Sequence, residues 1–263
     1  MANPSQPKCS CFLANKLMMK ICVIALILFS TTTAIAQKDT TSQTTAKKDW
    51  SKVKLGHRAN DHFMFQLGYD NWAGRPDTIE TTGISRSFNT YFMLDFPFKT
   101  DPRLSVGAGL GIGCSNVFFN QQQVLVASTN PTLAFPIYAG SNHFKKFKLV
   151  TTYLDIPLEL RFALDPENTN KSWKFAIGAK VGILLSAYTK GKDMENNANQ
   201  SINNYVEKEN SKKYFNGTRL SPTARISYGV FGIFAQYQIT PLIKTTDGPP
   251  VYPFAIGITL SGL

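Results

Sequence analysis

The chain has 263 residues, with 28 Lys and Arg against 17 Asp and Glu and a formal charge of +11. Between the N-terminal stretch and the C-terminus it is rich in Gly, Phe, Tyr, Thr and Asn and has no apolar run long enough for a helical span, which suits alternating strands better than packed helices. The four cysteines exclude a disulfide framework: Cys9, Cys11 and Cys22 precede residue 37, and Cys114 stands alone after it.

Lys20 precedes an unbroken apolar run, Ile21 to Phe29, followed by Ala34, Ile35 and Ala36. A basic flank, a short apolar core and a small-x-small site make a secretory signal peptide, with cleavage expected between Ala36 and Gln37. The run falls short of the roughly 20 apolar residues that cross a bilayer. A start at Met18 or Met19 is the simplest account of the stretch before it. Cleavage would remove Lys8, Lys16 and Lys20 and so lower the charge from +11 to +8. In an exported chain such a charge points to lipopolysaccharide or other anionic surface polymers, not to nucleic acid. The division expected is residues 1–36 as signal peptide with an N-terminal extension, 37–60 as a flexible polar lead rich in Thr and Lys, and 61–263 as the folded part.

From Asp61 onward the recurring pattern has period two. His62 to Asp70 and Arg86 to Phe98 alternate. From Arg103, Leu104, Val106, Ala108, Leu110 and Ile112 face one way, and Ser105, Gly107, Gly109, Gly111 and Gly113 the other. This glycine run is strictly every second residue, a strand face and not a phosphate loop. Leu154, Ile156, Leu158, Leu160 and Phe162 oppose Tyr153, Asp155, Pro157, Glu159 and Arg161. Trp173, Phe175, Ile177, Ala179, Val181, Ile183 and Leu185 oppose Lys174, Gly178, Lys180, Gly182 and Ser186. Gly217 to Tyr228, Val230 to Leu242 and Tyr252 to Leu260 complete about eight strands.

The connections alternate long and short, as in barrels with short periplasmic turns and long outer loops. Gly74 to Ser85, Phe119 to Lys148, Thr189 to Asn216 and Thr245 to Pro250 are the outer loops. Thr100 to Pro102, Asp165 to Lys171 and Tyr228-Gly229 are the turns. The fold expected is all-β, a transmembrane antiparallel up-and-down barrel of about eight strands. Trp72, Tyr91, Phe98, Tyr153, Trp173, Tyr188, Tyr228, Tyr237 and Tyr252, near strand ends, are candidates for interface girdles.

The run Tyr153 to Phe162, YLDIPLELRF, resembles a strand motif of the PorT-like outer-membrane β-barrel family of Bacteroidota. The next strand, with Gly178, Gly182, Leu184, Leu185, Ser186 and Ala187, resembles the same family. The resemblance extends from about Asp61 to the C-terminus and implies an outer-membrane location.

The inward faces carry Asp95, Asp155, Glu159, Arg161, Lys180, Arg219 and Arg225. About eight strands leave room only for side chains, and charges inside must pair, so these residues are expected to form a salt-bridge plug. His57, His62 and His143 sit in no catalytic motif, and no cluster has metal-ligand spacing. The expected function is therefore an outer-membrane barrel with a structural or interaction role, with no catalytic residues, cofactor or metal. Its expected partners are outer-membrane lipid, lipopolysaccharide and an envelope protein met through the outer loops. Two alternatives remain open: a narrow pore or transporter for small solutes, and a soluble periplasmic barrel with its apolar faces turned inward around a ligand.

Overall fold

The computed structural model describes residues 62–82, 84–138 and 142–262. The expected signal peptide and polar lead lie outside these. Nine strands follow one another: β1 Phe63–Ala73, β2 Arg86–Pro97, β3 Leu104–Phe119, β4 His143–Ala163, β5 Trp173–Glu195, β6 Ser201–Asn210, β7 Thr218–Tyr228, β8 Phe231–Tyr237 and β9 Tyr252–Ser261. All pairings are antiparallel, and the ladder β4-β3-β2-β1-β9-β8-β7-β5 closes through β4–β5. Eight strands thus form the ring. The ninth, β6, pairs only with the upper part of β5, above the point where β7 leaves it.

Two expected loops are partly strand. The segment 119–148 ends in the first residues of β4, and 189–216 contains the top of β5 and all of β6. These upper segments form a three-stranded sheet rising past the ring. β6 escapes a reading by alternation because nearly all of it is exposed on both faces. Its backbone pairing to β5 defines it. The last hairpin departs the other way, since β8 stops at Tyr237 and not at Leu242. A bulge also leaves Leu185 unpaired: Thr152 pairs with Ser186 and Tyr153 with Leu184. The extra residue reverses the alternation above it, so Ala187 and not Ser186 is buried.

The ring turns its apolar sides outward. Phe63, Leu67, Phe88, Leu94, Leu110, Ile156, Leu158, Ile177, Val181, Ile233, Ile256 and Ile258 are all exposed on the outer wall. The inward-facing apolar arrangement of a soluble ligand-binding barrel is therefore the reverse of what is found. Trp173 packs edge-on to Tyr228 at the short-turn end, with centroids 5.4 Å apart, and Tyr237 stacks on Tyr252 toward the other end. Both pairs face outward and suit an interface girdle. Trp72, Tyr91 and Tyr153 do not belong to it, because their parity points them inward, where they are buried.

The short turns are tight. Gly229 has φ +58°, the left-handed value that a two-residue hairpin with Gly first requires. In the turn 98–103, the Arg103 guanidinium donates through Nε and Nη2, and its backbone N–H also donates, to the Asp101 carboxylate, which holds that carboxyl below the usual carboxylate range.

At the opposite end the loops pack into a core of their own. Val124, Val126, Leu133, Tyr214, Phe215, Leu242, Ile243 and Val251 are buried against Trp72, Phe119, Leu149 and Leu184 of the strands. Hydrogen bonds join the loops. Tyr214 Oη lies 2.7 Å from both the Ser128 and the Asn130 carbonyl oxygens, with its one proton shared between them, and Leu133 N donates to the carbonyl of Asp247 at 2.7 Å. The outer mouth is thus capped by apolar side chains.

Candidate functional site

All seven inward ionisable residues named from the sequence lie in the lumen, in two tiers. The upper tier centres on Asp155, which is fully buried. Arg219 grips its carboxylate with both arms, Nε to Oδ1 at 2.9 Å and Nη2 to Oδ2 at 2.6 Å. Tyr91 Oη donates to Oδ2 at 3.0 Å, and Lys180 Nζ lies 3.6 Å from the same oxygen. Lys180 Nζ also donates to Tyr91 Oη at 3.0 Å and to Gln236 Oε1 at 2.5 Å. The Arg219 guanidinium lies over the Tyr153 ring, 4.1 Å from its centroid. This two-armed geometry is the strongest form of a buried ion pair, and each extra donor offsets part of the desolvation cost.

The lower tier centres on Glu159. Its Oε2 accepts from Arg161 Nε at 3.1 Å and Arg225 Nη2 at 2.9 Å. Arg225 Nη1 also donates to Ser261 Oγ at 2.9 Å, and Arg161 Nη1 lies 3.6 Å from Asp95 Oδ1. Below this tier, Asp95, Arg161, Lys174, Arg225 and Ser227 line a crevice of about 20 Å³, roughly the space of a single water molecule.

The sequence reading missed part of this interior. Asp70, Gln66, Asn89, Tyr91 and Gln236 also face the lumen, and Asn89 Nδ2 donates to Gln66 Oε1 at 3.2 Å. The signal was available, since Met64, Gln66, Gly68 and Asp70 follow one another at period two. With Asp70 counted, the two tiers among the described residues set four acidic side chains (Asp70, Asp95, Asp155, Glu159) against four basic ones (Arg161, Lys180, Arg219, Arg225), and Lys174 lines the crevice below them.

Two glycines make room for the upper tier. A Cβ at Gly182 would collide with Asp155 Oδ1 and lie 2.9 Å from Arg219 Cγ; one at Gly113 would lie 2.7 Å from Asp155 Oδ2. Glycine on these faces thus lets two strands approach a bulky ion pair. Gly182→Ala is expected to lower stability by about 1–3 kcal/mol, read as an earlier midpoint in urea unfolding of the detergent-folded protein. An unchanged midpoint would mean that the pair can shift freely.

His57 lies outside the described residues, and the other two histidines lie at opposite ends of the barrel. His62 stacks on Phe92, with centroids 5.6 Å apart, at the short-turn end, and His143 pairs opposite Glu195 in the extension at the other end. Among the described residues no group of three or more His, Cys, Asp or Glu is placed to hold a metal ion.

A closed antiparallel ring with an apolar outer wall, aromatic pairs near its ends and an ion-paired interior is the architecture of a transmembrane β-barrel. Residues 36–244 match the family described as outer membrane protein beta-barrel domain, and the chain belongs to that family. The protein is an outer-membrane β-barrel. Among solved structures it is similar to Ail, the attachment invasion locus protein of Yersinia pestis, at 16% identity over 76% of this chain and 97% of that one, with a TM-score of 0.31. It is likewise similar to Ail in complex with the heparin analogue sucrose octasulfate, at 14% identity over 76% and 97% of the two chains, with a TM-score of 0.31. No curated protein matches the chain in sequence.

Proposed function

We propose that the protein is a non-conducting, non-catalytic barrel of the cell envelope that anchors and displays its outer extension to a partner. The observation that carries this reading is the double closure of the lumen. Two tiers of paired charges fill the ring, and an apolar loop core lies over its outer mouth. An ion path would need both opened at once. A loop set packed this way supports a rigid recognition surface better than a gate. The partners that fit are outer-membrane lipid, including lipopolysaccharide, and an envelope protein reached through the outer loops and the β4–β5–β6 extension.

Within the family, the Tyr153 to Phe162 motif supports a place in the PorT-like group of Bacteroidota. The basic Lys20, the apolar run from Ile21 to Phe29 and the Ala34-Ile35-Ala36 site support export with cleavage after Ala36. One preparation tests the reading. Protein extracted from the outer membrane should have the intact mass of a chain beginning at Gln37, and in planar bilayers it should give no steady conductance steps. Reproducible unitary steps would overturn the closed barrel in favour of the narrow pore.

A further inference from the structure

The outer wall changes character with height. On β3, β4 and β5 the last apolar cross-strand row is Ile112, Leu154 and Ile183; above it come Cys114, Thr152 and Ser186, then Asn116, Val150 and Tyr188. The next row is Phe118, Lys148, Lys190 and Lys208, and the one above it is Lys146, Lys192 and Val206. Arg86 stands beside Asn116 on β2. Three lysines thus sit directly opposite one another on adjacent strands, with two more in the next row.

Like charges placed directly opposite across strands destabilise a sheet. The neighbouring acids do little to relieve this row. Asp193 lies 3.7 Å from Lys192, and Glu195 is taken by Lys145 at 3.0 Å. Glu207 and Glu209 turn to the other face of the sheet, beside Gln123 and Val124. Lys148 donates to the neutral Asn116 Oδ1 at 2.7 Å and feels the positive charges of Lys190 and Arg86. Aromatic rings support two of the ammonium groups: Lys148 lies over Phe118, and Lys208 lies over Tyr188 with 4.1 Å to the centroid. The row Lys148, Lys190 and Lys208 is therefore a held arrangement of cations with no matching anion among the described residues.

Its height identifies the missing anion. From Phe162 to Thr152 the wall of β4 rises about 25 Å at a tilt of roughly 40°, the height of a barrel's apolar band. Lys148 is four residues further out, which adds about 10 Å at the same tilt. That is the level of lipid headgroups.

We propose that Lys148, Lys190 and Lys208, supported by Lys146, Lys192 and Arg86, bind the phosphate groups of a phosphorylated glycolipid headgroup in the outer leaflet. The proposal rests on the membrane orientation above and names the lipid-binding side of that reading. Cross-strand spacing of lysines on a rigid wall gives several point charges to one multiply phosphorylated headgroup, a role suited to Lys.

The test uses the full chain folded in zwitterionic detergent, titrated with a bis-phosphorylated lipid A-type glycolipid or its dephosphorylated form in mixed micelles. The phosphorylated lipid should bind and raise the thermal midpoint, and the dephosphorylated one should do neither. A K148Q/K190Q/K208Q variant should bind about a hundredfold more weakly, yet be as stable as wild type or more so without lipid, because its repulsion is gone. A K99Q/K171Q variant, altered at the short-turn end, should bind as wild type does.

Equal binding by the triple variant, or an equal loss in the K99Q/K171Q control, would overturn the site. Displacement of the lipid by about millimolar inorganic phosphate would overturn the lipid in favour of a free-anion site. Failure of the membrane orientation would show separately, as wild-type protein with no heat-shifted band on a gel before any lipid is added.

Discussion

Asp155→Ala is expected to be the most damaging single substitution inside the barrel, lowering stability by about 3–5 kcal/mol, the usual cost of stranding a buried charge. The carboxylate is fully buried, accepts hydrogen bonds from Arg219 and Tyr91, and lies 3.6 Å from the Lys180 ammonium. Removing it leaves Arg219 and Lys180 without the carboxylate they share, with Lys180 hydrogen-bonded only to the neutral oxygens of Tyr91 and Gln236. Asp155→Asn, which keeps an acceptor but not the charge, should lose less. The pair itself is a different matter, because the attraction it supplies is largely offset by desolvation. Asp155→Leu combined with Arg219→Met should therefore recover much of what Asp155→Ala loses. Urea midpoints of the heat-shifted band would measure all three. A midpoint for Asp155→Ala within about 0.5 kcal/mol of wild type, the range of an ordinary surface change, would mean that the lumen is wet and the network solvated.

Most of the ring was legible because a β-barrel writes itself in period two. Lys180, Gly182 and Asp155 stand out against Val181, Ile183 and Ile156, and parity alone sends the two sets to opposite faces. What parity does not reveal is partnership. Arg219 and Asp155 are 64 positions apart, and only the register Asp155↔Gly182↔Arg219 brings them onto one level. Residue type alone makes Tyr91 and Tyr153 girdle candidates, whereas parity, which sets Tyr153 on the face of Asp155, gives their inward place, where the Tyr91 hydroxyl and the Tyr153 ring serve the ion pair.

The outer end was less legible for a physical reason. Its core is assembled from pairs such as Val124 and Val126, Tyr214 and Phe215, and Leu242 and Ile243, each short and set in polar sequence. No single loop has a periodicity, because no single loop buries its own apolar residues. β6 has no buried face, and its alternation carries no hydrophobic signal at all.

Leu158→Arg is the second large expected effect and tests which side of the wall meets lipid. Leu158 lies near the middle of the apolar band, over half exposed on the outer wall, and pairs with Ala108 on one side and Ala179 on the other. In water, replacing such a residue with Arg leaves stability nearly unchanged, within about 0.5 kcal/mol for a surface site. In a bilayer the charge sits at the midplane and costs about 2–4 kcal/mol. The comparison is best made in one protein in two media, unfolding the variant and wild type in lipid vesicles and in detergent micelles. The penalty should be full in vesicles and smaller in micelles, where headgroups and water can reach the guanidinium. The inward Pro157, one residue away on the same strand, cannot show this dependence on medium, since its surroundings are protein in both. A penalty absent from vesicles would place Leu158 in water and undo the outward apolar belt on which the membrane assignment stands.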